Sequence, residues 1–309
     1  MNKLKVVDLF AGCGGMSLGF QNAGFQILAA YDNWHPAVST YRKNFSHPIF
    51  ERDLADESIV DEISAYAPEI IIGGPPCQDF SSAGHRDETL GRAALSKTYT
   101  DIVCTAKPMF FVMENVARIR VSQTYQYVYN TLKNAGYGLT EKILDASYCG
   151  VPQKRKRLFL IGCLNAEDGF LDEILEKGLA NKPMTIYDYL GDKLGVEYYF
   201  RIPRSYNRRA VFSIYEPCVT IRGVDRPVPP NYKKHPGDPV EVGELARALT
   251  PKERSYMQTF PESFIFEESI TNINQMIGNA VPVNLANYVA RAILEYCKKS
   301  ERRWRKLRL

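Results

Sequence analysis

The sequence lacks any apolar run of the roughly 20 residues that a membrane-spanning helix needs. Its first residues, MNKLKVVDLFAGCGG, turn to glycine too early to form a signal peptide. It also contains no internal repeat and no low-complexity tract. The sequence therefore predicts a folded protein of the cytoplasm that has no membrane partner.

The cysteines include no C-x-x-C pair, and their number, seven, is odd. A disulfide framework uses cysteines in even numbers, and a structural zinc site uses closely spaced pairs. We therefore expect no bound metal and a reducing compartment, with most of the thiols buried as small apolar groups.

Charge and length set only wide limits on function. The formal net charge of +4 permits an anionic partner such as nucleic acid without requiring one. The 309 residues are enough for one large domain, or for a large and a small one, with a substantial core.

Strands and helices alternate in the first half of the chain. Short apolar runs such as LKVVDLF and EIIIGG are separated by helical segments, which predicts an α/β fold with a doubly wound, parallel sheet. After residue 165 the alternation fades, and proline, tyrosine and arginine become frequent. We therefore predict a discontinuous large domain, residues 1–164 and 265–309, and a small loop-rich domain, residues 165–264.

Glycines and carboxylates follow the predicted strands at the edge where such sheets bind ligands. The glycine loop after Phe10 either brings a ligand to the backbone or is only a tight turn. Asp32 ends the next strand at about the 20-residue spacing at which a carboxylate meets ribose hydroxyls. Because Ser17 replaces the third glycine of a dinucleotide fingerprint, the pattern favours a nucleoside ligand over NAD. Asp53 ends the third strand, either as a second anchor or as a helix N-cap.

The stretch GGPPCQ ends another strand and carries a thiol on a stiff loop. Because prolines fix φ, the loop is expected to present Cys77 to the crevice, where an activated thiolate is a nucleophile. Glu114 ends the adjacent strand, and there a protonated carboxyl group could donate to a ring nitrogen, although glutamate is more often a surface residue. The run QKRKR places Arg155 and Arg157 on one side of a strand, as a binding pair or as a solvated charge run.

Together these stretches resemble the DNA (cytosine-5)-methyltransferases of bacterial restriction–modification systems. DLFAGCGG, GGPPCQDFS, ENV, QKRKR, RALTPKERSYMQTFPESF and GNAVPVNLA occur in the order found in that family. The match covers nearly the whole chain apart from the region near 165–246. The resemblance implies a Rossmann-like methyltransferase sheet with a smaller target-recognition domain, S-adenosylmethionine as cofactor and double-stranded DNA as substrate.

The resemblance also implies a covalent mechanism. Cys77 would add to carbon 6 of a cytosine flipped out of the duplex, which makes carbon 5 nucleophilic. Glu114 would hold ring nitrogen 3. Arg155, the first arginine of Q-x-R-x-R, would position Glu114, and Arg157 would contact the flipped base.

The same motifs imply which residues contact the cofactor and the DNA. The implied cofactor residues are Phe10 on the adenine, Gly12 and Gly14 at the methionine end, Asp32 on the ribose, Asp53 and Leu54 at the adenine, Pro75 near the sulfonium, and Asn279 and Val281, which complete the pocket. The implied DNA contacts are Gln78, Ser81, Thr220, Arg222 and Arg226. Thr220 and Ile221 match the Thr-plus-aliphatic pair of the family's recognition region.

Three positions depart from the family's pattern. Asp32 replaces a glutamate, Ala93 replaces a hinge glycine, and Tyr256 replaces an arginine. No catalytic group is lost, so these changes concern loop closure and packing rather than the reaction.

Two other functions compete with DNA methylation. A transfer-RNA cytosine methyltransferase of the related eukaryotic type would carry a Cys-Phe-Thr stretch, which this sequence lacks. A catalytically inactive DNA-binding relative would have lost part of the catalytic set, and all of it is present. For the methylation enzyme, the partner would be a cognate restriction endonuclease that acts separately.

Overall fold

A computed structural model describes residues 3–56, 58–76, 92–203, 208–243 and 245–306. The strands in these ranges are β1 (Lys5–Leu9), β2 (Gln26–Asp32), β3 (Ile49–Glu51), β4 (Ile70–Gly73), β5 (Phe110–Val116), β6 (Tyr137–Asp145), β7 (Gln153–Lys154), β8 (Lys156–Leu164), β9 (Tyr198–Phe200), β10 (Val211–Ser213), β11 (Cys218–Val219) and β12 (Ala246–Ala248). The α-helices are α1 (Gly15–Ala23), α2 (His35–Asn44), α3 (Ile59–Ala65), α4 (Arg92–Ala106), α5 (Gln123–Asn134), α6 (Asp172–Lys177), α7 (Ile186–Leu190), α8 (Pro251–Met257), α9 (Ile270–Asn279) and α10 (Val283–Lys306).

Seven of the described strands form one large sheet, in which their order is β3-β2-β1-β4-β5-β8-β6. The first five of these pair in parallel, joined by helices, as the alternating sequence pattern predicts. Strand β8 pairs antiparallel with both β5 and β6. The doubly wound α/β fold is therefore confirmed, but the prediction of an all-parallel sheet is wrong for β8. No α-helix lies between β6 and β8, and neighbouring strands joined without a crossover helix run antiparallel.

Both faces of the sheet are buried, which explains why its strands are almost continuously apolar. On β4, Ile70 and Ile72 pack into one core, and Ile71 packs into the other. The first core is covered by α1, α6 and α10, and the second by α3, α4 and α5. Because successive side chains of a strand point to opposite faces, each strand contributes to both layers.

The C-terminal helix α10 returns to the sheet and lies against α1. The contact is close because a Cβ added at Gly19 would lie 2.5 Å from the Cβ of Ala286. This packing brings the GNAVP segment, which precedes α10, back to the glycine loop that precedes α1. A Cβ at Gly15 would accordingly lie 2.2 Å from the Val281 carbonyl oxygen.

The loop-rich region contains one small sheet, β10-β9-β12, and contributes β11 to a second one, β11-β7. Strand β11 pairs with β7, the strand of the QKRKR run, and so ties this region to the large sheet. Two segments of the predicted small domain pack elsewhere. Leu171 and Leu175 belong to the core under α10, and Phe260 and Phe264 pack around Cys13 and neighbouring residues of the large domain. The bounds of the small domain, residues 165–264, stay a prediction.

Helix α8 begins with a capping box formed by Thr250 and Glu253. Thr250 caps α8 by accepting a hydrogen bond from the Glu253 amide, and the Glu253 carboxylate accepts one from the Thr250 amide. This capping box satisfies two amide groups at the start of the helix.

Among the helices described, none is long and apolar enough to cross a membrane.

Candidate active site and DNA-binding cleft

A cavity of about 320 Å³ lies at the carboxyl end of the large sheet. Its walls come from the loop after β1, the end of β2, the loop after β4, Glu114 on β5 and the residues around the end of α9. This is the edge at which open α/β sheets bind ligands, and the volume falls in the range of small-molecule sites.

The glycine loop and Asp32 form one hydrogen-bonded corner of this cavity. Gly12 adopts a positive φ of 55° and donates its amide to Asp32 Oδ2 at 2.8 Å. The Trp34 amide donates to Asp32 Oδ1, also at 2.8 Å. Burial raises the pKa of Asp32, although its bonds to the backbone amides oppose the shift. Nothing lies within 4 Å of a Cβ placed at Gly12, so the loop leaves room for a ligand.

Five of the nine predicted cofactor residues line the cavity, namely Phe10, Gly12, Asp32, Asn279 and Val281. The structure does not bring the other four to its wall. Gly14 serves packing, because a Cβ there would lie 2.4 Å from the Phe45 ring. Leu54 is buried in the apolar core, and exposed Asp53 accepts the Ala55 amide at 3.0 Å.

Pro75 acts through its backbone. Its carbonyl accepts a hydrogen bond from Asn115 Nδ2 at 3.2 Å, while the next residue, Pro76, lines the cavity. Asn115 thus fastens the Pro-Pro loop to the end of the strand that carries Glu114. No role was predicted for Asn115 from the sequence, although it belongs to the ENV stretch.

The described residues fit an adenosine-containing cofactor with a charged amino-acid end. A carboxylate stands at the end of β2, the glycine loop gives access to the backbone, and Phe10 and Trp34 supply aromatic surface. Asn33, Trp34 and Gln275 line the cavity as well, and sequence reasoning missed them. The place of Trp34 at the cavity could have been predicted, since it stands two residues beyond Asp32 in the same strand-end loop.

Glu114 is buried, with 8% of its surface exposed, and forms part of the cavity wall. Its Oε1 accepts a hydrogen bond from Arg157 Nε at 2.9 Å. A Cβ at position 74 would lie 3.3 Å from Glu114 Oε2, so Gly74 leaves this oxygen uncrowded. Burial raises the pKa of Glu114, against the opposing charges of Arg157 and Arg155. The raised pKa favours a carboxyl group that can donate a proton.

The two arginines of QKRKR make different contacts in the structure. Arg157 is the one that contacts Glu114. Arg155 is 1% exposed and donates to three backbone carbonyls, those of Ile221 at 3.0 Å, Gly278 at 2.9 Å and Ala280 at 3.1 Å. The structure therefore gives Arg157 the Glu114 contact that the resemblance assigned to Arg155. Arg155 lies beside β11 and the end of α9, so its guanidinium group bonds to backbone carbonyls of these segments instead.

Gln153 completes the junction that Arg155 forms. Its Oε1 accepts the Ile221 amide at 2.9 Å, and its Nε2 donates to the Met257 carbonyl and to Gln258 Oε1. A Cβ at Gly278 would lie 2.0 Å from the Gly223 nitrogen. The segment around residues 221–223 is therefore held against the end of α9, whose neighbouring residues line the cofactor cavity.

A second cavity, of about 1000 Å³, separates the loop-rich region from the end of the large sheet. Its basic lining residues are Arg118, Lys154, Arg155, Arg157, Arg201, Arg208, Arg209 and Arg222. Among the described lining residues there is no carboxylate. We call this cavity the basic cleft. Such a concentration of positive charge suits a polyanion such as a nucleic-acid backbone.

Two predicted DNA contacts line the basic cleft, and a third does not. The Thr220 hydroxyl donates to the Lys154 carbonyl at 2.6 Å, and Arg222 Nη2 donates to the Ile202 carbonyl at 2.9 Å. Arg226 is exposed outside the described lining. Arg254, on α8, pairs with Asp225 and donates to the Arg222 carbonyl, so the segment is anchored from the protein side.

Cys77, Gln78 and Ser81 lie outside the described residues. Pro76, which precedes Cys77 in the sequence, lines the cavity. Among the other cysteines, burial raises the pKa of Cys13, Cys149 and Cys163 to about 12 and that of Cys218 to about 11. A thiol with such a pKa is not a thiolate at neutral pH and makes a poor nucleophile.

The comparisons with known proteins agree with this geometry. Residues 4–295 match the family described as C-5 cytosine-specific DNA methylase. The Type II methyltransferase M.HindV of Haemophilus influenzae is 56% identical over 299 residues, which cover 96% of this chain and 98% of the relative. The Type II methyltransferase M.HgiDI of Herpetosiphon aurantiacus is 53% identical over 294 residues, 95% of each chain.

Solved structures share the fold at low sequence identity. A putative DNA modification methyltransferase encoded within an E. coli prophage aligns with a TM-score of 0.69 at 22% identity, over 96% of this chain and all of the other. The S. pombe Dnmt2 methyltransferase aligns with a TM-score of 0.71 at 18% identity, over 95% and 99%.

The sheet and the cavity at its carboxyl edge define a Rossmann-like methyltransferase fold. Within that class, this chain belongs to the C-5 cytosine-specific DNA methylase family. Methylation of cytosine with S-adenosylmethionine is therefore its expected activity.

Proposed function

We propose that this protein transfers a methyl group to carbon 5 of cytosine within a short DNA sequence, as the modification enzyme of a Type II restriction–modification system. The observation that carries the proposal is the Glu114–Arg157 pair, because it joins the two cavities. Glu114 lines the cofactor cavity, Arg157 lines the basic cleft, and 2.9 Å separates Oε1 from Nε. A base that enters from the cleft would meet this pair beside the cofactor.

The described residues support a binding site for the cofactor and a proton donor for the target cytosine. Bound S-adenosylmethionine would supply an electrophilic methyl group, and Phe10, Gly12, Asp32, Asn279 and Val281 would hold it in the cavity. Glu114 would donate its proton to ring nitrogen 3, and Arg157 would keep its carboxyl group in place. Gly14, Asp53, Leu54 and Pro75 would act on the cofactor indirectly, through the loops that they shape.

The covalent step belongs to Cys77, as the family resemblance implies. Its thiolate would form a bond to carbon 6, and the ring electrons would move toward nitrogen 3, which takes the proton of Glu114. Carbon 5 would then bond to the methyl group as the methyl–sulfonium bond breaks, which leaves S-adenosylhomocysteine. Loss of the carbon 5 proton to a base would restore the double bond between carbons 5 and 6, break the bond between carbon 6 and Cys77 and return the thiolate, and nitrogen 3 would give its proton back to Glu114.

The DNA would lie along the basic cleft, with the target cytosine flipped out of the helix. Arg118, Lys154 and Arg208 are suited to phosphate contacts, and Thr220, Arg222 and Arg226 are the candidates for sequence readout, with Gln78 and Ser81 beside the flipped base. A cytoplasmic location on the bacterial nucleoid and a separately acting cognate endonuclease complete this proposal.

The relatives favour this function over the two alternatives. Two curated relatives above 50% identity carry the name Type II methyltransferase. The likeness to the S. pombe Dnmt2 structure, at 18% identity, shows the fold alone. An inactive DNA-binding relative would not need the buried Glu114–Arg157 pair, since burying charged groups without a function is costly.

Bisulfite sequencing tests the proposed activity directly. We expect DNA from a bacterial host that lacks cytosine-5 methylation to acquire protected cytosines when this chain is expressed, all within one short sequence. A host that expresses the Cys77→Ser variant serves as the control. Protection that is absent from the DNA, or that is found only in transfer RNA, would contradict the proposal.

Arg222→Ala tests the sequence-reading role. A bidentate contact to guanine is worth about 1–3 kcal/mol, so its loss should relax specificity at one position of the site. The measurement compares methylation rates across all single-base variants of the site. Arg118→Ala is the matched control, because Arg118 is exposed in the same cleft. As a phosphate contact, it should slow all sequences equally and flatten the salt dependence by about one unit. An equal slowing of every site by Arg222→Ala would show that Arg222 does not read a base.

A further inference from the structure

The last turns of α10 carry a concentration of positive charge. The match to the methylase family ends at residue 295, before these turns begin. The nine residues 298–306 include one acid, Glu301, and six basic residues, namely Lys298, Lys299, Arg302, Arg303, Arg305 and Lys306. This segment, which we call the basic end of α10, therefore has a formal net charge of +5. Because the whole chain has a net charge of +4, all other residues together carry −1.

The basic end lies away from the two cavities, toward the opposite edge of the large sheet. Helix α10 begins just after Val281, which lines the cofactor cavity at the carboxyl edge. Near the other end of the helix, the Tyr296 ring packs on Phe110, the first residue of β5, with 6.3 Å between the ring centroids. At a rise of 1.5 Å per residue, roughly 20 Å of helix separate these two contacts. DNA held in the basic cleft therefore does not meet the basic end.

The charges are arranged along one side of the helix. Lys298 is exposed, and the helical period places Arg302 and Arg305 one and two turns after it on the same side. In the turn before, Glu295 pairs with Lys299 at 2.8 Å, and both side chains are about half exposed. The basic end thus presents a row of cations that begins in solvent, and the acid beside it is already neutralised.

An anionic membrane is a possible partner for a basic helix, but the apolar side of α10 is occupied. Val289, Ala290 and Ile293 are completely buried in the core that covers the large sheet. A helix that binds at a membrane interface inserts its apolar face among the lipids, and these residues are not available for that. A partner of the basic end must therefore be bound by charge. Cations along an exposed helix suit a DNA backbone, which carries one negative charge per about 1.7 Å of duplex.

We propose that the basic end of α10 is a second, sequence-independent binding surface for the phosphate backbone of double-stranded DNA. The choice of DNA as the polyanion rests on the proposed function, but the contact itself needs no methyl transfer. The surface holds a stretch of DNA other than the one in the basic cleft. Release of counterions from the phosphates provides the affinity, so binding falls steeply with salt and does not depend on sequence.

Short duplexes made only of A·T pairs test this surface apart from the reaction, because they contain no cytosine. Titration calorimetry at low salt should show two duplexes bound to each full-length wild-type chain. The Lys298→Gln, Arg302→Gln, Arg305→Gln triple variant should bind one. The affinity for the second duplex should fall with salt by about 0.9 logarithmic units per tenfold change for each phosphate contact, and so by up to about five for the six basic residues.

The matched control removes three charges from the other face of the sheet. Its substitutions are Lys97→Gln, Lys107→Gln and Lys133→Gln, at exposed lysines on or next to α4 and α5, and it should still bind two duplexes. One duplex on the wild-type chain, two on the first triple variant, or one on both variants overturns the proposal.

Two further ligands show whether the partner is DNA. The same titration uses single-stranded RNA of equal length and vesicles that contain phosphatidylserine. If either binds the basic end more tightly than the duplex does, the assignment to DNA is wrong. Because the A·T duplex cannot be methylated at cytosine, these outcomes are independent of the bisulfite result that decides the proposed function.

Discussion

The Cys77→Ser protein should bind S-adenosylmethionine as the wild type does and yet show no measurable methyl transfer to DNA. The reason is chemical, since a serine hydroxyl is far less ionised than a thiol at neutral pH and cannot replace the thiolate nucleophile. Pro76, the residue directly before Cys77 in the sequence, lines the cofactor cavity together with Glu114. Titration calorimetry and transfer of a radiolabelled methyl group measure the two properties separately.

Cys104→Ser is the matched control for this variant. Cys104 is a half-buried thiol on α4 that lines neither cavity, and burial raises its pKa. Its replacement should leave methyl transfer intact. Substantial transfer by the Cys77→Ser protein would mean that cytosine is activated without this cysteine.

Replacing Glu114 by glutamine should slow turnover by about 10²- to 10⁴-fold, the usual contribution of a general acid or base. Glutamine keeps the shape of the side chain and can still contact the base, but it has no carboxyl proton to give to nitrogen 3. In its ionised form Glu114 also pairs with Arg157 Nε, 2.9 Å from its Oε1, and the substitution removes that ion pair. Single-turnover rates on duplex DNA, with saturating cofactor, measure the chemical step.

Loss of an ion pair alone must be distinguished from loss of the proton donor. Glu141→Gln removes a comparable glutamate, whose Oε1 lies 2.6 Å from Arg120 Nε and whose side chain is 18% exposed, away from both cavities. This control should turn over at the wild-type rate. If Glu114→Gln and Glu141→Gln behave alike, the proton-donor role of Glu114 is wrong.

The sequence predicted most of the large sheet because each parallel strand is a short apolar run bounded by glycine or a carboxylate. It missed β6, Tyr137–Asp145, whose second half mixes charged and apolar residues without a regular alternation. A strand with lysine and glutamate beside apolar residues is typical of an edge, and β6 is the edge of the sheet. The reversed direction of β8 was also hidden, because strand direction depends on the connection and not on the strand's own residues.

The residues of the candidate site were likewise predicted only in part. Local patterns identified Asp32, Glu114 and the glycine loop, because each follows its own strand. The contact between Arg157 and Glu114 depends on the register of β8 against β5, which pairs Val116 with Arg157. The role of Arg155 depends on segments 66 to 125 residues further along the chain. Such contacts are properties of the tertiary fold, so spacing within QKRKR could not assign them.

Trapping on DNA that contains 5-fluorocytosine tests the central claim most directly. After methyl transfer, a fluorine at carbon 5 cannot leave as a proton does, so the bond between Cys77 and carbon 6 should not break. With S-adenosylmethionine and a duplex carrying the recognised sequence, the wild-type protein should form a complex that survives denaturing electrophoresis, and peptide mapping should place the DNA on Cys77. No complex with the wild-type protein, or an equally abundant complex with Cys77→Ser, would contradict the account.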